Sequence, residues 1–181
     1  MLIAKEKKAS NIAEYILYMW QLEDILRALN LDVVNVKEHI IAKYDLDTAV
    51  AQEMYDWYDN LIEMMKKERV EKKGHMQILK NNVDELTELH YYLLHKAHDS
   101  RYRQIVTMAA ANLADLRQKS AASEEVSDVE LALNGLYGHL MLKLQQKEIT
   151  SATSQAMETF SKMIAYLAAK YKISEEQLRA E

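Results

Sequence analysis

The chain has 181 residues, of which 49% are apolar and 28% are charged, and its net charge is −5. It contains no cysteine, no proline and three glycines. This composition excludes thiol chemistry and glycine-rich phosphate loops, and it argues against the turn-rich β architectures. The negative charge gives no attraction to nucleic acid or to anionic lipid. We therefore expect one all-α domain over residues 1–181.

The N-terminal residues 1–20 place a cluster of lysines before an apolar run, as a secretory signal does. Glu14 interrupts the apolar part, however, and no small-residue cleavage site follows. We therefore expect no secretory signal. Because the absence of cysteine fits a reducing compartment, we expect the protein to be cytoplasmic.

The first clear helix lies in the stretch EYILYMWQLEDILRALN (14–30). At 100° per residue its apolar side chains cover about half of a helix that extends over residues 12–29. The apolar run is shorter than the roughly 20 residues that span a bilayer, so this is an amphipathic core helix and not a membrane anchor. Asn11 and Glu14 can form the capping box that begins it.

Further helices follow from the same apolar spacing and from capping residues. We expect the helix that begins at residue 48 to end near Gly74, a glycine placed as a C-terminal cap. Residues 174–177 can add a frayed final turn. The remaining predicted helices cover residues 33–44, 75–97, 101–119, 127–147 and 151–171. The fold class is thus a bundle of about six or seven helices.

The predicted helix over residues 127–147 is apolar on all sides, which is typical of a helix at the centre of a bundle. Leu133 and Leu140 share one face, whereas Leu142 lies opposite with the two glycines, Gly135 and Gly138. We expect both glycines to let a neighbouring backbone approach closely.

The sequence shows none of the residue spacings that are usual for metal ligands. None of the six histidines follows a glutamate by three residues, as di-iron bundles require. His95 and His98 have the right spacing for a pair, but they lie at a charged helix end without a clear carboxylate. We expect no bound metal and no cofactor.

Two polar residues fall on apolar helix faces and allow two interpretations each. His90 lies in the middle of the apolar face of residues 75–97, either as a neutral core histidine bonded to a carbonyl or hydroxyl, or as a ligand or proton-transfer residue. Glu23 lies beside Trp20, either paired with Arg27 one turn later or as part of a site. The structural interpretation is favoured for both residues.

Four blocks of the sequence resemble a family of bacterial helical proteins described only as a domain of unknown function. The blocks are NIAEYILYMWQLED (11–24), KKGHMQILKNNVDELTELH (72–90), LNGLYGHLMLKLQQKEIT (133–150) and LAAKYK (167–172). The resemblance implies a single-domain, all-helical, cytoplasmic protein without an assigned activity. It also draws attention to seven residues, to none of which it assigns a role: Trp20, Gln21, Glu23, Asp24, Gly74, His75 and Gln77.

His75 again has two interpretations. It can simply precede the helix after a turn at Gly74, with Gln77 bonding the free groups of the helix end. Alternatively, Trp20, Glu23 and His75 line one pocket together with Gln77 and His90.

Two functions follow from these alternatives. The first is a non-catalytic interaction or homo-oligomeric module, with a protein partner or a second copy. It is favoured because no nucleophile, base and orienting residue form a set, and because Tyr55 and Ile62 lie outside the core stripe of their helix. The second is an enzyme or small-ligand binder that uses Glu23, His75 and His90.

Overall fold

The computed structural model describes the backbone of residues 2–180 and the side chains of residues 3–174, 176 and 177. Within that part the chain forms eight α-helices and one 3-10 turn, and no strand. The helices are α1 (Leu2–Ser10), α2 (Ile12–Ala28), α3 (Val33–His39), α4 (Thr48–Lys67), α5 (Gln77–His95), α6 (Ser100–Ser120), α7 (Asp128–Leu144) and α8 (Ser151–Ala180). The predicted all-α fold class is confirmed.

Most helices begin at a side chain that accepts a hydrogen bond from the first turn. Asn11 accepts from the backbone N–H groups of Ala13 and Glu14, as predicted for the start of α2. Capping satisfies donors that no earlier carbonyl of the helix can reach. The side chains that begin the other capped helices are those of Asp32, Asp47, Asp99, Ser127 and Thr150.

The core is one cluster of buried side chains in which α8 lies against α2, α5, α6 and α7. Trp20, Tyr102 and Phe160 are its largest fully buried members. At one side, α4 packs on α3 and on the 3-10 turn at Ile41–Lys43. In the described part of the chain, no helix combines the length and the apolarity needed to cross a bilayer.

One helix of the structure was not expected, and several other elements differ from the expected ones in their boundaries. α1 was not predicted, because only its first residues are apolar; the helix packs on α2 and buries Ala4. Short helices of this kind depend on tertiary packing more than on propensity. The expected helix over residues 33–44 divides into α3 and the 3-10 turn. The expected final turn at residues 174–177 is a continuous part of α8.

The predicted end of α4 at Gly74 is wrong. The helix ends at Lys67, and Arg69 adopts the left-handed conformation with φ of 58°. The N–H of Val70 then donates to the carbonyl of Met65 at 3.0 Å, which closes the helix in the Schellman manner without a glycine. Gly74, with φ of 85°, lies inside the segment that connects α4 to α5.

Ile62 does not belong to a second apolar surface. It is 1% exposed and packs in the core with Leu61 and Met65, while Tyr55 is half-buried against the same core. The buried face of α4 is wider than the narrow stripe that the sequence suggested, because Tyr58 also lies inward.

α7 contacts α2, α5, α6 and α8, as a central helix should, but only its first half is buried. None of its residues after Leu133 is buried. A Cβ atom on Gly135 would lie 2.9 Å from Leu116 and 3.1 Å from the ring of Phe160, so side chains rather than a backbone approach this glycine. The expectation for Gly138 is wrong, since no atom lies within 4 Å of the corresponding position.

Candidate ligand-binding site

The polar centre of the site is a glutamate–histidine pair. Glu23 on α2 is fully buried, and its Oε2 atom lies 2.5 Å from Nδ1 of His75. Its Oε1 atom accepts the backbone N–H of Met76 at 2.8 Å. A buried carboxylate is costly unless both of its oxygens are satisfied, and here both are. The pair therefore locks the segment before α5 onto α2.

The imidazole of His75 is also held through its face. It stacks on the indole of Trp20 with ring centroids 4.3 Å apart and an interplanar angle of 15°. Tyr137 meets the indole edge-on at 5.7 Å. Glu23 and Trp20 thus determine both the position and the plane of the ring.

The second nitrogen of His75 remains available. When the ring is neutral, a carboxylate at Nδ1 keeps the proton on that nitrogen and leaves Nε2 as an acceptor. The side chain is 29% exposed, and Nε2 has no hydrogen-bond partner among the described residues. His75 is thus an oriented group with one free polar atom.

Arg27 fastens the backbone that precedes His75. Its guanidinium donates to the carbonyl of Val70 at 3.1 Å and to the carbonyl of Gly74. The same group lies 2.8 Å from Asp24. The expected pairing of Glu23 with Arg27 is therefore wrong, because Arg27 is used by two carbonyls and by a different carboxylate.

Asp24 receives a further bond from α7. The hydroxyl of Tyr137 donates to it at 2.5 Å. Burial raises the pKa of Tyr137, and the hydrogen bond to Asp24 and the charge of that carboxylate raise it further. The hydroxyl therefore keeps its proton and holds α7 against α2.

A cavity of about 290 Å³ lies beside the imidazole. It is bounded by α2, by the connecting segment, by α5 and by α7. The residues that line it are Trp20, Gly74, His75, Gln77, Lys80, Val83, Asp84 and Glu130. Three residues singled out from the sequence, namely Trp20, His75 and Gln77, thus share one cavity, and Glu23 lies behind them.

Gln77 does not bond the free groups of its helix end through its side chain. Its amide nitrogen donates to Asn81 at 2.8 Å, while its backbone N–H is bonded by the carboxylate of Glu68. The remaining oxygen of the Gln77 side chain is left as an acceptor.

His90 lies elsewhere in the core. Its Nδ1 atom is 2.7 Å from the hydroxyl of Tyr102, and the residue is 4% exposed. Burial lowers the pKa of His90, outweighing the charge of Asp128, which raises it. His90 is therefore a core histidine bonded to a hydroxyl, and it does not join Glu23 and His75.

Of the supporting residues, Asp24 was singled out by the family resemblance without a role, whereas Arg27 and Tyr137 were not found from the sequence as part of a site. Asp24 and Tyr137 are 113 positions apart, so no local pattern links them. Within the described residues, no group of three or more histidine, aspartate or glutamate side chains is placed to hold a metal ion.

A family model described as a domain of unknown function, DUF4924, matches residues 1–177. The chain belongs to this family. Among curated proteins and among solved structures, nothing matches it. The four sequence blocks that carried the resemblance all lie within the part matched by the DUF4924 model, as do the residues of the cavity.

Proposed function

We propose that this DUF4924 protein binds a small molecule in the cavity beside His75. The observation that carries the proposal is the geometry of His75, which is held by the buried Glu23 and by Trp20 while its Nε2 atom stays free. Burying a carboxylate to orient one imidazole is costly, and such arrangements concentrate at binding and catalytic sites.

The size of the cavity limits the ligand. Its volume of about 290 Å³ is close to the lower end of known ligand pockets. At about 30 Å³ for each water in the liquid, it offers room for a molecule of roughly ten non-hydrogen atoms. The part of the ligand that enters the cavity thus has the size of a small metabolite.

Recognition fits this cavity better than catalysis. Among the described residues that line it, none carries a hydroxyl or a thiol that could act as a nucleophile. His75 can accept a hydrogen bond or a proton, but no hydroxyl or thiol of a described residue lines the cavity beside it for activation. We therefore propose a binding protein rather than an enzyme.

The test uses the fluorescence of Trp20. The chain has two tryptophans, so Trp57→Phe leaves Trp20 as the sole indole emitter beside the cavity. A library of small metabolites is screened against this variant, and each hit is checked by the NMR signals of His75. Hits should be lost in His75→Ala and kept in His39→Ala, a change at an exposed histidine. The proposal fails if no compound at millimolar concentration perturbs either residue.

A second candidate function is self-association through α7. An apolar groove of about 490 Å³ lies between α6, α7 and α8, where Leu131, Leu142 and Met157 surround the open surface of Gly138. We propose that a second copy of the chain covers this groove. Analytical ultracentrifugation should then show a dimer that Leu142→Glu dissociates, while Ile173→Glu, at an exposed apolar residue elsewhere, leaves it intact. A parent protein that stays monomeric at all concentrations would contradict this.

We also propose that the protein acts in the cytoplasm. The support for this is its lack of cysteine, which suits a reducing compartment. Labelling the chain in its native cells and fractionating them is the direct test.

A further inference from the structure

We infer that the ligand of the cavity is a small primary amine, bound as its ammonium ion between His75, Asp84 and Glu130. The inference rests on the proposed function and adds the chemical class of the ligand. It follows from the charges that line the cavity, which are two unpaired carboxylates against one lysine.

Two of the acceptors are neutral and are set by neighbouring bonds. When its ring is neutral, His75 donates the Nδ1 proton to the carboxylate of Glu23 and presents the lone pair of Nε2. Gln77 uses one N–H of its amide to bond Asn81, which leaves its oxygen free as an acceptor and its second N–H free as a donor. Both groups can accept a hydrogen bond from a donor on the ligand.

The other two acceptors are charged. Asp84 lies on α5 and Glu130 on α7, and both line the cavity. Among the described residues, no cation lies within ion-pair distance of either carboxylate, and neither side chain has a hydrogen-bond partner. Asp84 is exposed and Glu130 half-buried, so both remain solvated until a ligand arrives.

The donors that could compete are few. The indole N–H of Trp20 is buried and has no hydrogen-bond partner among the described residues. Lys80 is the one lysine or arginine among the described lining residues, and its side chain is exposed. An ammonium group supplies three N–H donors and a positive charge, which match this set, whereas a carboxylate would meet two like charges.

Three probes of nearly equal shape test the inference: n-butylamine, n-butanol and butyrate. Each is titrated into the full chain while the Trp20 and His75 signals are followed by NMR. Butylamine should bind at least about tenfold more tightly than the other two, because its hydrogen bonds are charge-assisted.

Charge-neutralising variants locate the ammonium group. The double variant Asp84→Asn, Glu130→Gln should weaken butylamine binding by at least about tenfold. Glu88→Gln removes one negative charge from an exposed position on the same helix outside the cavity and should have little effect. Lys80→Gln should strengthen binding, because it removes a competing cation.

The outcomes separate this inference from the proposed function. If butanol or butyrate binds as well as butylamine at a His75-dependent site, the amine assignment is overturned and ligand binding stands. Equal weakening by Glu88→Gln and by the double variant would also overturn it, since that would show only a general charge effect. If no probe and no library compound reaches the cavity, both proposals fall.

Discussion

The Nδ1 atom of His75 lies 2.5 Å from the Oε2 atom of Glu23, which precedes it by 52 positions in the chain. This contact joins the middle of α2 to the segment before α5. Glu23 without His75 would be a buried carboxylate with one partner, and His75 without Glu23 would lose its orientation. The two residues should therefore act as a unit in both stability and binding.

Replacing Glu23 by glutamine should lower the free energy of unfolding by about 1–3 kcal/mol, because the charge-assisted bond to His75 is lost in a buried place. Urea unfolding followed by circular dichroism measures the change. Glu88→Gln, at an exposed carboxylate, should change the free energy by no more than about 0.5 kcal/mol.

A double-mutant cycle tests the coupling directly. His75→Ala should cost less in the Glu23→Gln background than in the parent, since the bond is already broken there. If the two losses in free energy of unfolding simply add, the two side chains do not interact. The geometry on which the proposed site rests would then be contradicted.

The free energy of unfolding should depend on pH through the titration of His90. Burial lowers the pKa of this residue in the folded protein below its ordinary value of 6.5, so the unfolded chain takes up its proton first. The free energy of unfolding should therefore be fully retained above pH 6.5 and should fall as the pH drops below it. Urea unfolding at pH values between about 7.5 and 5 measures this slope.

Two controls assign the slope to His90. It should diminish in His90→Gln and persist in His39→Gln, where the histidine is exposed. The NMR titration of His90 should be unchanged in Glu23→Gln, because Glu23 faces His75 and not His90. A raised pKa of His90 that collapses in that variant would place the two residues together and refute the structure at this point.

The two glycines of α7 should respond in opposite directions. Gly135→Leu should destabilise the protein by about 1–3 kcal/mol, because its side chain would overpack Leu116 and Phe160. Gly138→Ala should stabilise it by about 0.5–1 kcal/mol, since open space surrounds the position and alanine is the better helix former. Thermal unfolding compares the two variants, and equal destabilisation would contradict the difference in packing.

Arg27→Lys should loosen the segment that carries His75. A lysine ammonium cannot reproduce the fork that reaches both Val70 and Gly74, so the backbone carbonyls lose donors. We expect faster amide exchange over residues 68–76, measured by hydrogen exchange, and slower or unchanged exchange elsewhere. Arg101→Lys, at an exposed arginine on α6, is the matched control and should leave that segment unaffected.

Much of the fold could be read from the sequence because helix formation is decided largely by neighbours along the chain. The starts of α2, α3, α4 and α8 follow from the caps Asn11, Asp32, Asp47 and Thr150. Apolar spacing then indicates which face of each helix turns inward. The end of α4 was not predicted correctly, because Arg69 adopts a left-handed conformation that glycine normally takes.

The site was decided by tertiary structure. From the sequence, Glu23 could pair with Arg27 one turn away or meet a distant histidine, and both His75 and His90 were candidates. Spacing along a helix limits which residues of that helix can contact each other. It does not determine which helices pack together or how they are offset along their axes. Only the packing of α2 against α5 and α7 brings His75 to Glu23, leaves His90 with Tyr102 and draws Arg27 to two backbone carbonyls. Such contacts depend on the mutual positions of whole helices, which no local pattern of residues encodes.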